Sequence, residues 1–578
     1  MIPRRELLRR VPAVGAGLVA AATGRLAGSE TPAFAHGVAS GDPTAGSVVL
    51  WTRVSGAAGD EVVPVRWTLA RDPELAEVVA SGEAEAGPGG DWTVHVDAVD
   101  LEPATTWWYG FEARGQRSPT GRTRTAPASD DGRELRLGVV SCASYAAGTF
   151  DAYRHLAARD VDLVVHLGDY LYEGQSRQAL RDHEPPQDPV SLGDYRRRHA
   201  QYKSDPDLQA LHQQVAMASV WDDHEVAGNA WAGGAGDHNP RRQGPWSERR
   251  QAALQAYLEW MPLRPPDPAD PLRIWRSLPL GASGELVLID TRHDQRDRQV
   301  GSGGGDPASI LDDPDRRIMS AGQEAWLAEH LRQGGGAWRV VANQVVLSPL
   351  SLAIPEGLGG LAGGLGVFVD GRVLNPDQWD GYPVARRRLL DVVAGETAAP
   401  VVFLTGDIHS SWAFAVPAGG RLGGEPVAVE AVVPSVSSPT FASIVGADAG
   451  LVADGLRNVV ESQLQHLRWS EISHHGYLVV SLTPERLQGD WWLVDAVDGT
   501  GAGAGERLAA SWAVAAGDPR WQEASALAPR PGPAGAAPAP SPERGPGTQV
   551  PGVVPYGLAA GAVLALGGAV LALRRRRR

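Results

Sequence analysis

Acidic, histidine, tyrosine and cysteine side chains follow several apolar segments of the chain, close to the point where each segment ends. The groups are Cys142 after LGVVS; Asp169, Tyr172 and Glu173 after LVVHLG; Asp222, Asp223, His224 and Glu225 after ASVW; Asp290 and Arg292 after VLI; and Asp407 and His409 after VVFLTG. Each group alone is compatible with turn chemistry, a buried cysteine or a structural histidine. Carboxylates brought together repel one another, and bound cations are the simplest remedy. The pattern therefore predicts a metal site, provided that these segments end at one place.

The elements that must position these groups are predicted β-strands that alternate with helices. The apolar runs LRLGVVSC and VDLVVHLGD flank the helical stretch GTFDAYRHLAARD, which predicts a βαβ unit and a covered, largely parallel sheet. Further strands are predicted at VAMASVWDDHE, GELVLIDTRHD, WRVVANQVVLS and PVVFLTGDIHS, and further helices at SERRQAALQAYLEWM and AGQEAWLAEHLRQ. Ligands of open α/β sheets bind at the carboxyl ends of the strands. We therefore expect an α/β domain over residues 131–518 with the polar groups along one sheet edge.

The segment before this domain, residues 36–130, has a different pattern. Four runs rich in β-branched and aromatic residues are separated by Gly, Pro and Asp: SVVLWTRV, VVPVRWTLA, DWTVHVDAV and TTWWYGFEA. Short strands at this spacing are typical of a small sandwich. We predict an N-terminal all-β domain of the fibronectin or immunoglobulin type.

Both ends of the chain predict targeting. Residues 1–35 combine paired Arg4 and Arg5, an Ala/Gly/Val run and the small-x-small triplet Ala33–Ala35, as expected of a twin-arginine export signal recognised by that export machinery. Residues 519–552 form a Pro/Ala/Gly-rich linker, residues 553–573 are apolar over about the 20 residues that a transmembrane helix needs, and residues 574–578 are all arginine. The positive-inside rule leaves that basic tail in the cytoplasm. The expectation is an extracellular body tethered to the outer face of the plasma membrane or cell envelope.

Charge and cysteine content exclude some classes of protein. The net charge of −15 over 578 residues disfavours a stable nucleic-acid partner, which requires clustered basic residues, and suits the binding of cations. Cys142 is the single cysteine, so no disulfide can form within the chain.

Five segments together resemble the signature segments of one enzyme family. They are FAHGVASGDPTAGSVVLWTRV, GVVSCASY, HLGDYLYE, VWDDHEVAGN and FLTGDIHSSW. In this order they are similar to segments of the PhoD-like alkaline phosphatases, which resemble purple acid phosphatases and belong to the metallophosphoesterase superfamily. The resemblance runs from His36 to about Ala515. It implies a four-layer α+β sandwich of the metallophosphoesterase type and a phosphoric ester hydrolase.

The resemblance also implies roles for the residues that match the family motifs. The implied metal ligands are Cys142, Asp169, Tyr172, Asp223, Asp407 and His409. Asp169 would bridge two metal positions, and His224 would stabilise the phosphoryl transition state. Asp223 and Asp407 replace an asparagine and a histidine of relatives, which moves the second position toward oxygen ligands.

The implied ions are Fe³⁺ and Ca²⁺, with Mg²⁺ or Mn²⁺ as possible substitutes for calcium at the second position. A thiolate, a phenolate and a bridging carboxylate can hold a trivalent ion, and carboxylate oxygens suit a hard divalent ion. Two adjacent cations can lower the pKa of a bridging water and neutralise the phosphoryl group. The implied mechanism is in-line attack by metal-bound hydroxide without a covalent phosphoenzyme.

Four further residues retain two interpretations each. Arg292 either grips a phosphate oxygen as a catalytic residue or forms a salt bridge with Asp290. Asp222 is favoured as a hydrogen-bonding support for the ligands rather than a ligand, and Glu225 either orients ligands or caps a turn. Asn343 is another candidate at the second metal position, or a strand asparagine that bonds backbone groups.

Three functions fit these residues. The leading hypothesis is an exported alkaline phosphatase or phosphodiesterase that acts on organic phosphate esters. A phospholipase D-like phosphodiesterase of the same family, acting on phospholipid head groups or nucleotides, uses the same motifs. The alternative from another class is a cell-surface binding protein with a degenerate phosphatase domain. Against it, the matched metal-motif positions Cys142, Asp169, Tyr172 and His409 all keep side chains that can bind metal.

Overall fold

The computed structural model describes residues 32–530, except 177–178, 268, 271, 302–306, 334, 351–374, 396, 398, 445–449 and 500–504. The predicted export segment up to residue 31, most of the linker, the predicted membrane helix 553–573 and the tail 574–578 lie outside the described residues. Within the described part of the chain, no helix is both long and apolar enough to cross a bilayer.

The N-terminal region is the predicted all-β sandwich. Its strands are β1 (Val38–Gly41), β2 (Val48–Arg53), β3 (Val63–Ala70), β4 (Val78–Ala86), β5 (Thr93–Ala98), β6 (Thr106–Ala113), β7 (Gln116–Arg117) and β8 (Gly121–Arg124). One sheet has the order β4-β3-β6-β7, with β8 on β6, and β1, β2 and β5 face it. Leu50 and Val96 of one face pack with Trp107 and Tyr109 of the other. Phe34, which belongs to the predicted export segment, is buried in the same core, and the boundary at residue 35 stays a prediction.

Two larger sheets form the rest of the fold. The remaining strands are β9 (Leu135–Val140), β10 (Leu163–His166), β11 (Met217–Ser219), β12 (Arg276–Pro279), β13 (Gly284–Leu288), β14 (Trp338–Asn343), β15 (Val401–Thr405), β16 (Ser411–Pro417), β17 (Pro426–Val432), β18 (Leu467–Glu471), β19 (Gly476–Leu482), β20 (Arg486–Val494), β21 (Glu506–Ala515) and β22 (Gln522–Glu523). One sheet has ten strands in the order β22-β21-β20-β19-β9-β10-β11-β1-β2-β5, and the other has seven in the order β12-β13-β14-β15-β17-β16-β18.

The ten-stranded sheet joins the N-terminal sandwich to the α/β region. Strand β1 pairs in parallel with β11, with Gly41 opposite Met217. A Cβ atom at Gly41 would lie 1.9 Å from the carbonyl oxygen of Pro262 and 2.6 Å from that of Met217, so the close approach requires glycine. The predicted sandwich and α/β units therefore share one continuous sheet.

The prediction of a largely parallel sheet holds only for the centre of each large sheet. Strands β9, β10, β11 and β1 run parallel, as do β13, β14, β15 and β17. Antiparallel strands flank both centres, including β19 on β9 and β12 on β13. The parallel strands are the continuous apolar runs, because helices or the other sheet cover both of their faces.

Helices cover the outer faces of the two large sheets. They are α1 (Asp151–Ala157), α2 (Leu192–Lys203), α3 (Pro206–Gln214), α4 (Pro240–Gln243), α5 (Trp246–Trp260), α6 (Pro307–Leu311), α7 (Ala321–Gln333), α8 (Pro383–Gly395), α9 (Phe441–Ile444) and α10 (Gly450–Gln463). Apolar residues of the two sheets, such as Val139 and Leu404, share one core with α1, α3 and α5. Leu327 of α7 and Leu390 of α8 pack on the opposite face of the seven-stranded sheet. The predicted four-layer sandwich is confirmed.

Candidate metal centre

The polar groups after the strands meet at one edge of the two sheets. Cys142 follows β9, Asp169 follows β10, Asp223 follows β11, and Asp407 and His409 follow β15. A parallel bridge between Ser141 and Ser435 joins the two sheets beside this edge. Because the parallel strands of both sheets end here, their terminal side chains are brought together.

The backbone at this edge is unusual. Cys142, Asp169, Asp407 and His409 have positive φ angles of 59°, 55°, 68° and 51°. This left-handed region costs a non-glycine residue energy, about 1–3 kcal/mol, and such residues concentrate at functional sites. At neighbouring Gly168, with φ of 108°, a Cβ atom would lie 2.5 Å from that of Asp222. The backbone itself thus turns four predicted ligands toward one centre.

Cys142, Asp169 and His409 form the first group of candidate ligands. One donor atom from each lies within 4.8 Å of the others. The Tyr172 hydroxyl lies 2.8 Å from Asp169 Oδ2 and 3.0 Å from His409 Nε2. His409 Nδ1 donates to the Pro439 carbonyl at 2.8 Å, so Nε2 carries the lone pair that a metal ligand requires. Together with Tyr172, the group supplies the thiol, phenol, imidazole and carboxylate that are expected at the first metal position.

Asp222, Asp223 and Asp407 form a second group with the same spacing, and Asp169, Asp223 and His224 form a third that overlaps both. Asp169 therefore belongs to the first group and to one that contains Asp223. Asp223 Oδ1 is buried and has no hydrogen-bond partner among the residues that the structure describes, which is costly unless a cation or water satisfies it. The donor set fits two cations on either side of Asp169.

The four carboxylates at this edge, Asp169, Asp222, Asp223 and Asp407, shift one another's pKa values. Burial raises the pKa of the Asp169, Asp222 and Asp407 carboxyls, and the nearby charge of Asp223 raises each further. The pKa of Asp223 is instead lowered, because Arg292 and His224 outweigh the effect of burial. Cations at this edge would stabilise the ionised form of all four carboxylates.

His224 is oriented by Glu173. Its Nδ1 lies 2.6 Å from Glu173 Oε2, and the other Glu173 oxygen accepts from the backbone N–H of Gly228 at 2.6 Å. The imidazole stacks on Tyr172 with ring centroids 4.1 Å apart, and 27% of its side chain is exposed. Burial lowers the pKa of His224, but the charges of Glu173, Asp223 and Asp169 outweigh it and raise that pKa well above its usual value.

Arg292 is fully buried and forms hydrogen bonds with three carboxylates. Its Nε bonds Asp222, its Nη1 lies 2.7 Å from Asp377, and its Nη2 lies 2.6 Å from Asp407. The Asp290 carboxylate accepts instead from Trp221 Nε1 at 2.8 Å and from the Arg292 backbone N–H at 2.9 Å. The predicted Asp290 salt bridge is replaced by these three contacts. The phosphate-gripping role stays a prediction, and it would require Arg292 to exchange one of them.

Glu225 and Asn343 contact the protein rather than an open cavity. Glu225 accepts from the backbone N–H groups of Tyr170 at 2.7 Å and Asp222 at 2.9 Å, and so ties the segment after β10 to the segment after β11. Asn343 donates to the Val345 carbonyl at 2.5 Å and to Thr405 Oγ1 at 3.1 Å. These contacts match the supporting roles that the sequence allowed for both residues.

Two residues of the edge were missed by the sequence reasoning. Asp377 pairs with Arg292, and Gln378 donates through Nε2 to Asp407 Oδ2 at 2.5 Å. Gln378 Oε1 accepts from the Val346 backbone N–H at 2.6 Å. Both residues lie in the irregular segment NPDQWDG, whose only visible signal is turn-forming chemistry.

Known proteins share this chain's motifs and fold. A family model described as PhoD-like phosphatase matches residues 137–491, and a PhoD-like phosphatase N-terminal domain model matches residues 19–127. Alkaline phosphatase D of Bacillus subtilis (strain 168) is 34% identical over 396 residues, 66% of this chain and 65% of that protein, so the match spans just under two thirds of the relative.

Solved structures also align with this chain. A structure described as that of PhoD aligns with a TM-score of 0.76 and 30% identity over 87% of this chain and 94% of its own. A purple acid phosphatase from yellow lupin (Lupinus luteus) seeds aligns with a TM-score of 0.47 and 12% identity over 83% of this chain and 73% of its own. With a family model matched over more than half of its length, the chain belongs to the PhoD-like phosphatase family.

Proposed function

We propose that the protein hydrolyses phosphate esters at a dinuclear metal centre built around Asp169. The observation that carries this proposal is the membership of Asp169 in two overlapping groups of ligands, one with Cys142 and His409 and one with Asp223. Family membership and the relationship to an alkaline phosphatase support the same reaction class.

The two groups suit different ions. Cys142, Tyr172 and His409, with Asp169, would hold Fe³⁺, because a thiolate and a phenolate are strong anionic donors for a trivalent ion. Asp223 and Asp407 would hold Ca²⁺, Mg²⁺ or Mn²⁺ through oxygen atoms. When bound, the pair of cations would neutralise the phosphoryl group and lower the pKa of the attacking water.

Among the described residues, His224 is well placed to act on the substrate. Its ring is partly exposed at the mouth of the centre, and Glu173 holds Nδ1, so Nε2 is the nitrogen available to a bound ester. The nearby carboxylates of Glu173, Asp223 and Asp169 raise the pKa of His224, which favours the protonated ring. His224 can therefore donate from Nε2 to a phosphoryl oxygen or to the leaving oxygen.

A comparison of monoester and diester hydrolysis tests this function. Purified metal-loaded protein with added Ca²⁺ is assayed on p-nitrophenyl phosphate and on bis-p-nitrophenyl phosphate. We expect hydrolysis of at least one ester, and a decrease on the order of 10²-fold in His224→Ala. If neither ester is hydrolysed by metal-loaded protein, the phosphatase proposal fails and the binding-protein alternative gains support.

The same assay addresses the phospholipase alternative, since the strand-end motifs do not distinguish the two classes. Phosphatidylcholine vesicles assayed beside the p-nitrophenyl esters would reveal a preference for phospholipid diesters. Faster release of the head group than of p-nitrophenol, at matched substrate concentration, would favour the phospholipase D-like function.

We further propose export by the twin-arginine pathway and tethering by residues 553–573. The support is the pattern of residues 1–35 and the apolar run before the terminal arginines. Replacement of Arg4 and Arg5 by lysine should leave the protein in the cytoplasm. A chain truncated after Leu527 should be released from the envelope. Unchanged fractionation of either variant would contradict the corresponding part of the proposal.

A further inference from the structure

Asp377 occupies the far side of the Arg292 guanidinium from the candidate metal ligands. Both Asp377 oxygens lie close to Arg292 Nη1, at 2.7 and 2.8 Å. Nη2 of the same guanidinium lies 2.6 Å from Asp407 Oδ1 and 3.9 Å from Asp223 Oδ1. The three nitrogens of Arg292 thus bond to Asp222, Asp377 and Asp407. Of these three carboxylates, Asp407 is the predicted ligand of the second cation.

This arrangement places a permanent positive charge beside a predicted cation site. A guanidinium does not lose its proton in proteins, and a nearby cation is repelled by it. The guanidinium also competes for the oxygens that a metal would use, since Asp407 Oδ1 is its partner. The affinity of the second position for a cation therefore depends on how completely groups other than the metal ligands neutralise and hydrogen-bond Arg292.

Asp377 has the charge and the position to neutralise the Arg292 guanidinium and accept its hydrogen bonds. It lies in the same buried network as Arg296, whose Nη2 is 2.8 Å from Asp377 Oδ1, and Gln299, whose Nε2 is 2.7 Å from the same atom. Both donors share Asp377 Oδ1 with Arg292 Nη1, so they compete with the guanidinium for this carboxylate. Asp377 in turn holds Nη1 of Arg292 away from the ligand side. Without the carboxylate, Arg292 would keep Asp222 and Asp407 as its charged partners and would bind both more tightly.

We propose that Asp377 is a positioning residue for the second cation: by holding Arg292 it leaves Asp407 and Asp223 available to a divalent ion. The proposal rests on the proposed function, since it concerns the oxygen-rich half of the dinuclear centre. Two effects act in the same direction when Asp377 loses its charge. The site becomes less negative, and Arg292 competes more strongly for Asp407.

The test is a Ca²⁺ titration by calorimetry of full-length, iron-loaded protein from which divalent ions have been removed. Asp377→Asn is compared with wild type and with Asp380→Asn. Asp380 is a matched control in the same segment, because it is buried but pairs with Arg386. The proposal expects the Kd for Ca²⁺ to rise about 10- to 100-fold in Asp377→Asn, as for other residues that orient metal ligands. In Asp380→Asn it should stay within about 3-fold.

Arg296→Gln separates this role from a purely structural one. Arg296 supports the same loop through Asp377, so a structural role predicts weaker Ca²⁺ binding in both variants. The proposal predicts the opposite for Arg296→Gln, a Kd equal to or below that of wild type, because Asp377 becomes freer to pair with Arg292. This variant decides the question alone if Asp377→Asn does not fold.

The outcomes distinguish this inference from the proposed function. The role of Asp377 is overturned if Asp377→Asn binds Ca²⁺ with the same Kd as wild type, or if the Kd rises 10-fold in Arg296→Gln. Either result leaves the proposed function in place as long as the wild-type protein hydrolyses an ester. A wild-type protein that binds no Ca²⁺ and hydrolyses neither p-nitrophenyl ester overturns the proposed function itself, and with it this inference.

Discussion

The two candidate metal positions are built by different means. Around the first, Cys142, Tyr172 and His409 approach Asp169 directly, and the Tyr172 hydroxyl contacts both Asp169 and His409. The second position draws on Asp223 and Asp407. There the carboxylates lie against a buried guanidinium and a glutamine amide, which hold oxygen atoms in place.

This difference shows two ways to prepare a cation site before the ion binds. At the first position the left-handed backbone of Cys142, Asp169 and His409 directs the ligands. At the second position Asp407 is left-handed as well, and charge balance is added, because Arg292 neutralises carboxylates that would otherwise repel one another. Substitutions should therefore affect the two positions separately, except at the shared residue.

Asp169→Asn should produce the largest effect, because it removes the shared carboxylate. We expect loss of metal from both positions and a decrease in p-nitrophenyl phosphate hydrolysis on the order of 10³-fold. Metal content by elemental analysis and initial rates check this prediction. Asp160→Asn, at a half-buried pair with Arg122 outside the ligand groups, is the control. Retention of both metals in Asp169→Asn would contradict the shared role.

Tyr172→Phe should affect the first position only. Loss of the phenolate should abolish the visible charge-transfer band of a tyrosinate–Fe³⁺ site and lower the iron content, while Ca²⁺ affinity stays within about 3-fold. Absorption spectra and iron analysis measure both effects.

Tyr170→Phe is the matched control for Tyr172→Phe. The Tyr170 hydroxyl contacts His212 Nε2 at 2.9 Å, away from the ligand groups, so its removal should leave the band in place. A colourless, iron-free wild-type protein with full activity would remove the iron assignment but not the phosphatase proposal.

Gln378→Met should affect the second position only. The substitution removes the amide that holds Asp407 Oδ2 at 2.5 Å while keeping a side chain of similar length. We expect about 10-fold weaker Ca²⁺ binding and an unchanged iron content. Calorimetry and iron analysis of the same preparation would test the separation, and a parallel loss of iron would argue against it.

Asn343→Leu should have the smallest effect on metal. The amide of Asn343 bonds Val345, Thr405 and Trp379, so its removal leaves buried polar groups unpaired. We expect a loss of about 1–3 kcal/mol in the free energy of unfolding, measured by denaturant titration, with Ca²⁺ affinity maintained. A large loss of Ca²⁺ affinity would instead support the ligand role that the family resemblance suggested for this residue.

The sequence was sufficient to predict the strand-end residues of both groups. Continuous apolar runs marked the parallel strands, and polar residues stood directly after them, so that the strand rule placed Cys142, Asp169 and Asp407 together. The role of Tyr172 came from the family resemblance, and the structure places its hydroxyl beside Asp169 and His409.

The supporting network was not predictable in the same way. Asp377 and Gln378 lie outside any apolar periodicity, and their partners are distant in sequence, so no local pattern links them to Arg292 or Asp407. The left-handed backbone at Cys142 and His409 was likewise not predictable, because no glycine stands at either position. The pairing of Gly41 with Met217 is a long-range parallel contact without a turn signal between its strands.

The most direct test of the dinuclear centre is anomalous diffraction from crystals of the metal-loaded protein, with data above and below the iron absorption edge. We predict an iron peak among Cys142, Tyr172 and His409, and a second cation between Asp223 and Asp407, with Asp169 bound to both. A single cation, or two cations that do not share Asp169, would contradict this prediction.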